Sequence, residues 1–354
     1  MLQALRKLDP TIGIRLVHTG QHYDPEMSDV FIDELGLPVP DVRLEVGSGG
    51  HGEQTARALG GLAQIFEVER PDLVVLVGDV NSTLAAALAA VKLSIPVAHI
   101  ESGLRSFDLE MPEEHNRKLT DHVSSILFTH STSAVDNLER EGIDPASVHL
   151  VGNTMIDSLF AHRPAALDAQ PWAAFDLPAH EYGLVTLHRP TLVDDPSLLH
   201  ATVQALVQLA RTWPLVFPVH PRTLERVALQ GLDRIAADTN LRLTGPLGYT
   251  TFLGLEAAAR FVVTDSGGVQ EETSALGVPC FTLRSSTERP VTIELGTNIL
   301  LGIDPARISE IPGLLAPTSS GTQIPLWDGC AGERAAAAIA LFLEAAPTVA
   351  EALG

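Results

Sequence analysis

Short apolar runs rich in β-branched residues alternate with segments of helical spacing along the whole chain. The strand-like runs are 14–19, 73–78, 96–101, 126–129, 148–152, 182–188, 215–220, 241–245, 260–265, 278–283 and 298–302. Most of these runs are continuously apolar, which is typical of parallel strands covered on both faces. Strands that alternate with helices predict an α/β fold with parallel sheets.

One stretch interrupts this rhythm. Residues 161–181, "AHRPAALDAQPWAAFDLPAHE", are rich in alanine and proline, have no clear period and predict a linker. We therefore expect two doubly wound domains, 1–165 and 166–330, with a cleft between them. A C-terminal helix in 331–354 would follow.

Polar residues stand where several predicted strands end. They are Asp79, Glu101, His188, Arg189, His220 and the segment 264–268. Ligands of open parallel sheets bind outside the carboxyl ends of the strands, so this pattern predicts a site shared by the two domains. Each feature alone also has a structural interpretation. Asp or Ser after a strand caps a helix, and Glu113 and Arg117 have the spacing of an i,i+4 ion pair.

The segment "VVTDSGGVQEETSALGVP", residues 262–279, carries the most specific chemistry. Ser266, Gly267 and Gly268 would expose backbone N–H groups at a helix N-terminus, where a phosphate can approach closely. A carboxylate one turn further along can accept hydrogen bonds from ribose hydroxyls. Neighbouring helical residues point about 100° apart, so only one of Glu271 and Glu272 can face such a ligand. The pattern predicts a nucleotide site.

Composition narrows the possible partners. The 354 residues include 44 acidic and 23 basic side chains, a net charge of −21, which argues against nucleic-acid and anionic-membrane partners. Two cysteines, Cys280 and Cys330, do not make a disulfide framework and fit a reduced cytosol. There is no apolar stretch of transmembrane length and no signal-peptide layout, so we expect a cytoplasmic protein.

Several motifs, in order, closely resemble the non-hydrolysing UDP-N-acetylglucosamine 2-epimerases. They are "TGQHYDPEMSDVF", "GDVNSTLAAALAA", "HIESGLRSFDLEMPEEHNR", "VGNTMIDSL", "LVTLHRP", "PLGYTTFLGL", "TDSGGVQEE" and "STERPVTIELGTN". The resemblance implies two Rossmann-like domains in a GT-B-like arrangement. It also implies interconversion of UDP-N-acetylglucosamine and UDP-N-acetylmannosamine by a homodimer, with no cofactor and no catalytic metal.

The implied reaction removes the C2 proton, expels UDP and adds UDP back with a proton on the opposite face of C2. Such chemistry needs carboxylates near C2, donors on the departing diphosphate and a closed site. By resemblance, the catalytic residues are Asp79, Glu101, Glu113, Arg117 and His188. The substrate-binding residues are Ser266, Gly267, Gly268, Glu272, His220 and Arg189.

The chain also departs from the family pattern. Family members open with a strand and a "GTRP"-type loop whose arginine contacts the diphosphate, and the sequence "MLQALRKLDPTIGIRLVHTG" begins beyond that point. A catalytically impaired UDP-sugar-binding protein is therefore one alternative. Another is a related 2-epimerase that acts on a UDP-diacetamido-uronic acid sugar.

Overall fold

The computed structural model describes residues 1–20, 34–219, 221–231, 239–315 and 324–345. The chain divides into two compact units, Met1–Asp157 with Pro325–Gly354, and Ser158–Ile324. The predicted site residue His220 and the motif segment 21–33 lie outside the described residues. Within the described ranges, no helix is long and apolar enough to cross a membrane.

The first unit is built around a parallel sheet. Its strands are β1 (Val17–His18), β2 (Val42–Arg43), β3 (Val74–Val77), β4 (Val97–Ile100), β5 (Ile126–Thr129) and β6 (Val148–Leu150). Among the described residues, β3, β4, β5 and β6 pair in that order, and β1 pairs with β2 separately. Helices in the unit are α1 (Leu2–Leu8), α2 (His51–Glu69), α3 (Asn81–Lys92), α4 (Pro112–Val123) and α5 (Thr132–Arg140).

The second unit contains a larger parallel sheet. Its strands are β7 (Gly183–Thr186), β8 (Leu215–Pro218), β9 (Leu241–Thr244), β10 (Phe261–Thr264), β11 (Cys280–Thr282) and β12 (Asn298–Leu300). The order across the sheet is β12-β11-β10-β7-β8-β9. The chain therefore winds in one direction from β7 and then reverses at β10, which is the doubly wound topology, and β7 and β10 flank the point where the order switches.

The remaining helices complete the chain. They are α6 (Thr154–Asp168), α7 (Pro190–Val193), α8 (Pro196–Leu209), α9 (Pro221–Leu229), α10 (Tyr249–Ala257), α11 (Gly267–Leu276), α12 (Val291–Glu294), α13 (Ile311–Leu314) and α14 (Ala331–Ala345). Short 3₁₀ turns cover Pro145–Ser147, Pro171–Phe175 and Pro305–Glu310.

Both sheets are buried on both faces, as the continuous apolar strands predict. In the first unit, Leu76 packs into a cluster with α2 and α3, whereas Ile100 packs into a second cluster with α1 and α14. In the second unit, the neighbouring residues Val262 and Val263 of β10 enter different clusters. Alternate side chains of a strand point to opposite faces, so each sheet has apolar layers above and below it.

The predicted linker at 161–181 is wrong over its first part, 161–168. Helix α6 runs through Pro164 to Asp168, and a 3₁₀ turn follows at Pro171–Phe175. Ile156, Leu159 and Ala166 of α6 are fully buried, so this helix packs into the protein. The predicted first strand, 14–19, is reduced to Val17–His18, and its partner Val42–Arg43 was not predicted.

The last helix belongs to the first unit. The sequence pattern set 331–354 apart and placed the domain boundary at 165/166, whereas the compact units divide at Asp157 and again before Pro325. Ala335 and Ile339 of α14 are buried in the cluster that contains β4 and β5 residues. Helix α14 therefore covers one face of the first sheet. The cleft expected between the domains remains a prediction.

Candidate functional site

In the first unit, Asp79 lies just beyond the carboxyl end of β3. Its Oδ2 accepts hydrogen bonds from Arg117 Nε at 3.0 Å and Nη2 at 2.6 Å. Arg117 is almost fully buried, while a quarter of the Asp79 side chain remains exposed. Asn116 Nδ2 also donates to the Asp79 carbonyl oxygen at 3.0 Å. Two successive residues of α4 thus hold both the backbone and the carboxylate of Asp79, and the paired guanidinium contact fixes the carboxylate orientation.

Glu101 lies beyond the end of the neighbouring strand β4. Its backbone is left-handed, with φ +68°, an unfavourable conformation for a residue with a side chain. A Cβ placed on Gly78 would lie 3.9 Å from Glu101 Oε2, so the Glu101 carboxylate reaches the tip of β3. The structure therefore brings Asp79, Glu101 and Arg117 together at one edge of the first sheet.

The two adjacent acids at the start of α4 differ in environment. Glu114 is fully buried and accepts from Ser106 N at 2.8 Å, Ser106 Oγ at 2.9 Å, Phe107 N at 3.1 Å and Arg117 Nη1 at 2.9 Å. Glu114 therefore anchors the loop before α4 and holds Arg117 in place. Glu113, the predicted catalytic residue, is half-buried in the first helical turn. The Glu113 side chain makes no hydrogen bond or ion pair within the described part of the chain.

In the second unit, Asp265 ties together the ends of β7 and β10. It is buried, and its carboxylate accepts from the His188 backbone N at 3.0 Å and the Arg189 backbone N at 2.9 Å. His188 Nδ1 lies 3.0 Å from Asp265 Oδ1, and half of the His188 side chain is exposed. Arg189 Nε donates to the Asp265 carbonyl oxygen at 2.9 Å. His188 and Arg189 thus lie at the switch point of the sheet, where the sequence predicts them to bind.

The Ser-Gly-Gly segment opens helix α11, as predicted. Ser266 is the N-cap residue and its side chain makes no capping hydrogen bond. A Cβ on Gly267 would lie 2.5 Å from Arg289 Nη1, so only glycine allows this guanidinium to approach the helix N-terminus. The helix dipole, the first backbone N–H groups and Arg289 all favour an anion here. Gly268 follows in the first turn.

Sequence analysis missed Arg284, Arg289 and Glu288, which join the predicted residue Arg189 in one charged group. Arg284 Nη2 lies 2.7 Å from Glu288 Oε2, Arg189 Nη2 lies 3.8 Å from Oε1, and Arg289 forms an ion pair with the same carboxylate. Burial alone would raise the pKa of Glu288, but Arg289 and Arg284 hold it well below its usual range. The sequence contained a signal for the three missed residues, because Arg284 lies just before the "STERP" motif that follows β11, and Glu288 and Arg289 lie within it.

Glu271 and Glu272 point to different partners, as the helical spacing predicts. Glu271 Oε2 lies 2.9 Å from Arg289 Nε in a buried ion pair. Tyr249 Oη donates to Glu272 Oε1 at 3.3 Å. Burial raises the pKa of Glu272 to about 7, and burial followed by the charge of Glu272 raises the pKa of the fully buried Glu256 well above its usual value.

Comparison with known proteins agrees with this arrangement. A family model described as UDP-N-acetylglucosamine 2-epimerase matches residues 4–340. The UDP-N-acetylglucosamine 2-epimerase of Methanocaldococcus jannaschii is 41% identical over 340 residues, with 94% of this chain and 92% of the relative covered. The UDP-2,3-diacetamido-2,3-dideoxy-D-glucuronate 2-epimerase of Pseudomonas aeruginosa is 42% identical over 300 residues, with 82% and 81% covered.

A solved structure is similar throughout. The crystal structure of the M. jannaschii UDP-GlcNAc 2-epimerase in complex with UDP-GlcNAc and UDP has a TM-score of 0.87 and 40% identity, and 96% of each chain is covered. The present chain therefore has the same GT-B-like α/β fold as that enzyme. With a family match over nearly its full length and relatives above 40% identity, the chain belongs to the UDP-N-acetylglucosamine 2-epimerase family.

Proposed function

We propose that the chain interconverts UDP-N-acetylglucosamine and UDP-N-acetylmannosamine. The main support for the proposal is a pair of carboxylates at neighbouring strand ends, Asp79 and Glu101. Buried Arg117 donates two hydrogen bonds to Asp79. Epimerisation at C2 needs one group that removes the proton from one face and another that returns a proton to the opposite face. Two carboxylates on adjacent strands meet that requirement. Glu113, half-buried at the start of α4, is the third proposed catalytic carboxylate.

In this reaction, the C2 proton leaves as the bond between C1 and the UDP oxygen breaks, which gives a glycal-like intermediate and UDP. UDP then adds back at C1 while C2 gains a proton on the other face. Glu272 binds the ribose, and the backbone at Ser266, Gly267 and Gly268 binds the diphosphate. His188 and Arg189 stabilise the charge that develops on departing UDP. Cationic and N–H donors aimed at a leaving group are worth several kcal/mol when water is excluded.

The test is turnover in deuterated water. We expect UDP-N-acetylglucosamine to give both epimers with deuterium at C2, and Asp79→Asn to lose at least about 10²-fold in rate. Asp72→Asn is the matched control, because Asp72 is exposed just before the opposite end of β3 and should leave the rate unchanged. Epimer formation with the C2 proton retained would rule out the elimination route.

A second substrate has a specific observation in its favour. The P. aeruginosa diacetamido-glucuronate epimerase is as similar to this chain as the M. jannaschii enzyme, although over a shorter length. Its sugar carries a carboxylate that would need a cation near the sugar pocket. Assays with both UDP sugars decide between them, and faster turnover of the uronate would overturn the assignment. UDP binding without turnover of either sugar would favour the impaired UDP-sugar-binding protein.

The proposal also covers the protein's localisation, its partners and its oligomeric state. We infer a cytoplasmic protein that binds no nucleic acid or membrane, because the chain is strongly acidic and has two free cysteines. We also propose a homodimer, which the resemblance of its motifs to the epimerase family implies. Light scattering on the purified protein tests the dimer.

A further inference from the structure

A buried histidine connects the catalytic edge of the first sheet to helix α4. His99 lies in β4 and is fully buried. Its Nδ1 lies 2.7 Å from Asp121 Oδ1, and its Nε2 lies 2.8 Å from the carbonyl oxygen of Gly78. Both distances are those of strong hydrogen bonds. The imidazole therefore spans from the tip of β3 to a carboxylate on α4.

The two partners fix the protonation of the ring. A carbonyl oxygen can only accept, so His99 Nε2 must carry a hydrogen. Asp121 also accepts from Gly103 N at 3.1 Å, and Arg105 Nη1 lies 2.8 Å from its Oδ2, so two other donors converge on this carboxylate and keep it ionised. His99 Nδ1 must then carry a hydrogen as well. The geometry requires an imidazolium, with a hydrogen on both ring nitrogens.

The surrounding charges support that state. Burial lowers the pKa of His99, but the hydrogen bond and charge of Asp121 outweigh it, with a smaller contribution from Glu101, so the net direction is upward. Burial likewise raises the pKa of Asp121, and His99 and Arg105 reverse this. Arg105 is itself paired with Glu141 at 2.7 Å. Two cations thus face two paired acids, with Glu101 nearby, so the cluster holds the His99 charge without an unpaired ion.

His99 holds the peptide from which Asp79 projects. Gly78 has φ +73° and its N donates to the Ile100 carbonyl oxygen at 3.2 Å, while its own carbonyl is held by His99. Both polar groups of Gly78 are therefore fixed. Glu101 follows Ile100 directly and reaches Gly78 with its carboxylate. One displaced peptide at Gly78 would move both proposed catalytic carboxylates.

We propose that His99 is a positioning residue for the epimerisation, acting as a buried imidazolium that fixes the Gly78 peptide and so aims Asp79 and Glu101 at C2 of the sugar. The kinetic part of this inference rests on the proposed function. A shift of about 1 Å in a catalytic group typically costs on the order of 10²-fold in rate. UDP binding is assigned to groups of the second unit, so it should not change.

The first experiment observes the proton directly in the wild-type protein. A ¹⁵N–¹H correlation spectrum of histidine-labelled protein distinguishes imidazolium from either neutral tautomer. We expect His99 to remain doubly protonated from about pH 6 to about pH 8, where an ordinary histidine titrates. His149 on β6 is the internal control, because burial lowers its pKa and it should be neutral above pH 7. A neutral His99 tautomer at pH 7 would overturn the inference, whatever the activity.

The second experiment separates positioning from general stability. In His99→Gln, a single amide nitrogen replaces the two ring N–H donors, so it cannot hold Gly78 and Asp121 together, and it carries no charge. We expect kcat to fall about 100-fold while KM and the UDP affinity change less than about twofold. His149→Gln should leave all three unchanged. An unchanged kcat in His99→Gln, or an equal loss of UDP affinity, would refute the positioning role. Wild-type protein inactive on both UDP sugars would instead refute the proposed function, and the spectrum would still decide the protonation of His99.

Discussion

Replacing Glu256 by glutamine should stabilise the second unit above neutral pH. Glu256 is fully buried on α10, and its carboxyl group meets that of Glu272 through a side-chain hydrogen bond. Its neighbour Glu272 is also buried, and both carboxyl groups have raised pKa values. Because an ionised pair of carboxylates is costly away from water, this corner of the unit holds at least one proton that the unfolded chain releases.

The pKa of Glu272 sets the scale of the pH dependence that this pair of acids gives the wild-type unit. Burial raises that pKa from 4.5 to about 7. The folded state therefore binds more protons than the unfolded chain between those values, so the free energy of unfolding falls as pH rises through them. A difference of 2.5 pKa units corresponds to roughly 3 kcal/mol, because each unit contributes about 1.4 kcal/mol. Because the pKa of Glu256 is also raised, the free energy of unfolding continues to fall at higher pH.

Glutamine at position 256 cannot ionise, and its amide can donate to the Glu272 carboxylate. We expect Glu256→Gln to gain about 1–3 kcal/mol at pH 8 and to show a smaller loss of stability between pH 5 and pH 8. Urea unfolding followed by tryptophan fluorescence measures this, since Trp172 and Trp213 both lie in the second unit. Glu181→Gln, an exposed change in the same unit, is the control. A variant as pH-dependent as the wild type, or less stable at pH 8, would show that the proton is held elsewhere.

Two further predictions rest on matched pairs. Gly103 and Gly142 both have φ +79°, but a Cβ on Gly103 would lie 2.4 Å from the Ala134 carbonyl oxygen, whereas Gly142 faces open space. Thermal unfolding should show Gly142→Ala losing about 1 kcal/mol and Gly103→Ala at least 2 kcal/mol more, and equal losses would contradict the steric argument. Calorimetry with UDP should show Glu272→Gln weakening binding by about 1.5–3 kcal/mol, and Glu271→Gln, which breaks a buried ion pair, should mainly lower the melting temperature. Equal UDP affinities in the two variants would refute the ribose assignment of Glu272.

Much of the fold could be predicted because strands and helix starts are encoded by short stretches of neighbouring residues. Continuous apolar runs such as 260–265 require a strand buried on both faces, and ten of the eleven predicted runs contain strands of at least three residues. Ser266 and Gly267 at the start of α11 could be predicted for the same reason, since glycine after a strand has few other uses. The linker prediction failed over 161–168 because an alanine-rich composition does not show that Ala166 on α6 is fully buried.

Contacts between distant segments needed the tertiary structure. The sequence by itself determined which residues end the strands, and so placed Asp79, Glu101 and His188 at sheet edges. It could not show that Glu114, rather than its neighbour, is the acid that holds Arg117, or that His99 bridges Gly78 and Asp121. Those pairings depend on the order of strands in the sheet and on how α4 packs beside β4. Strand order is set by the burial of apolar surface between segments that are distant in the sequence, and no local pattern encodes it. Only the folded chain therefore decides which charged residues share a buried site.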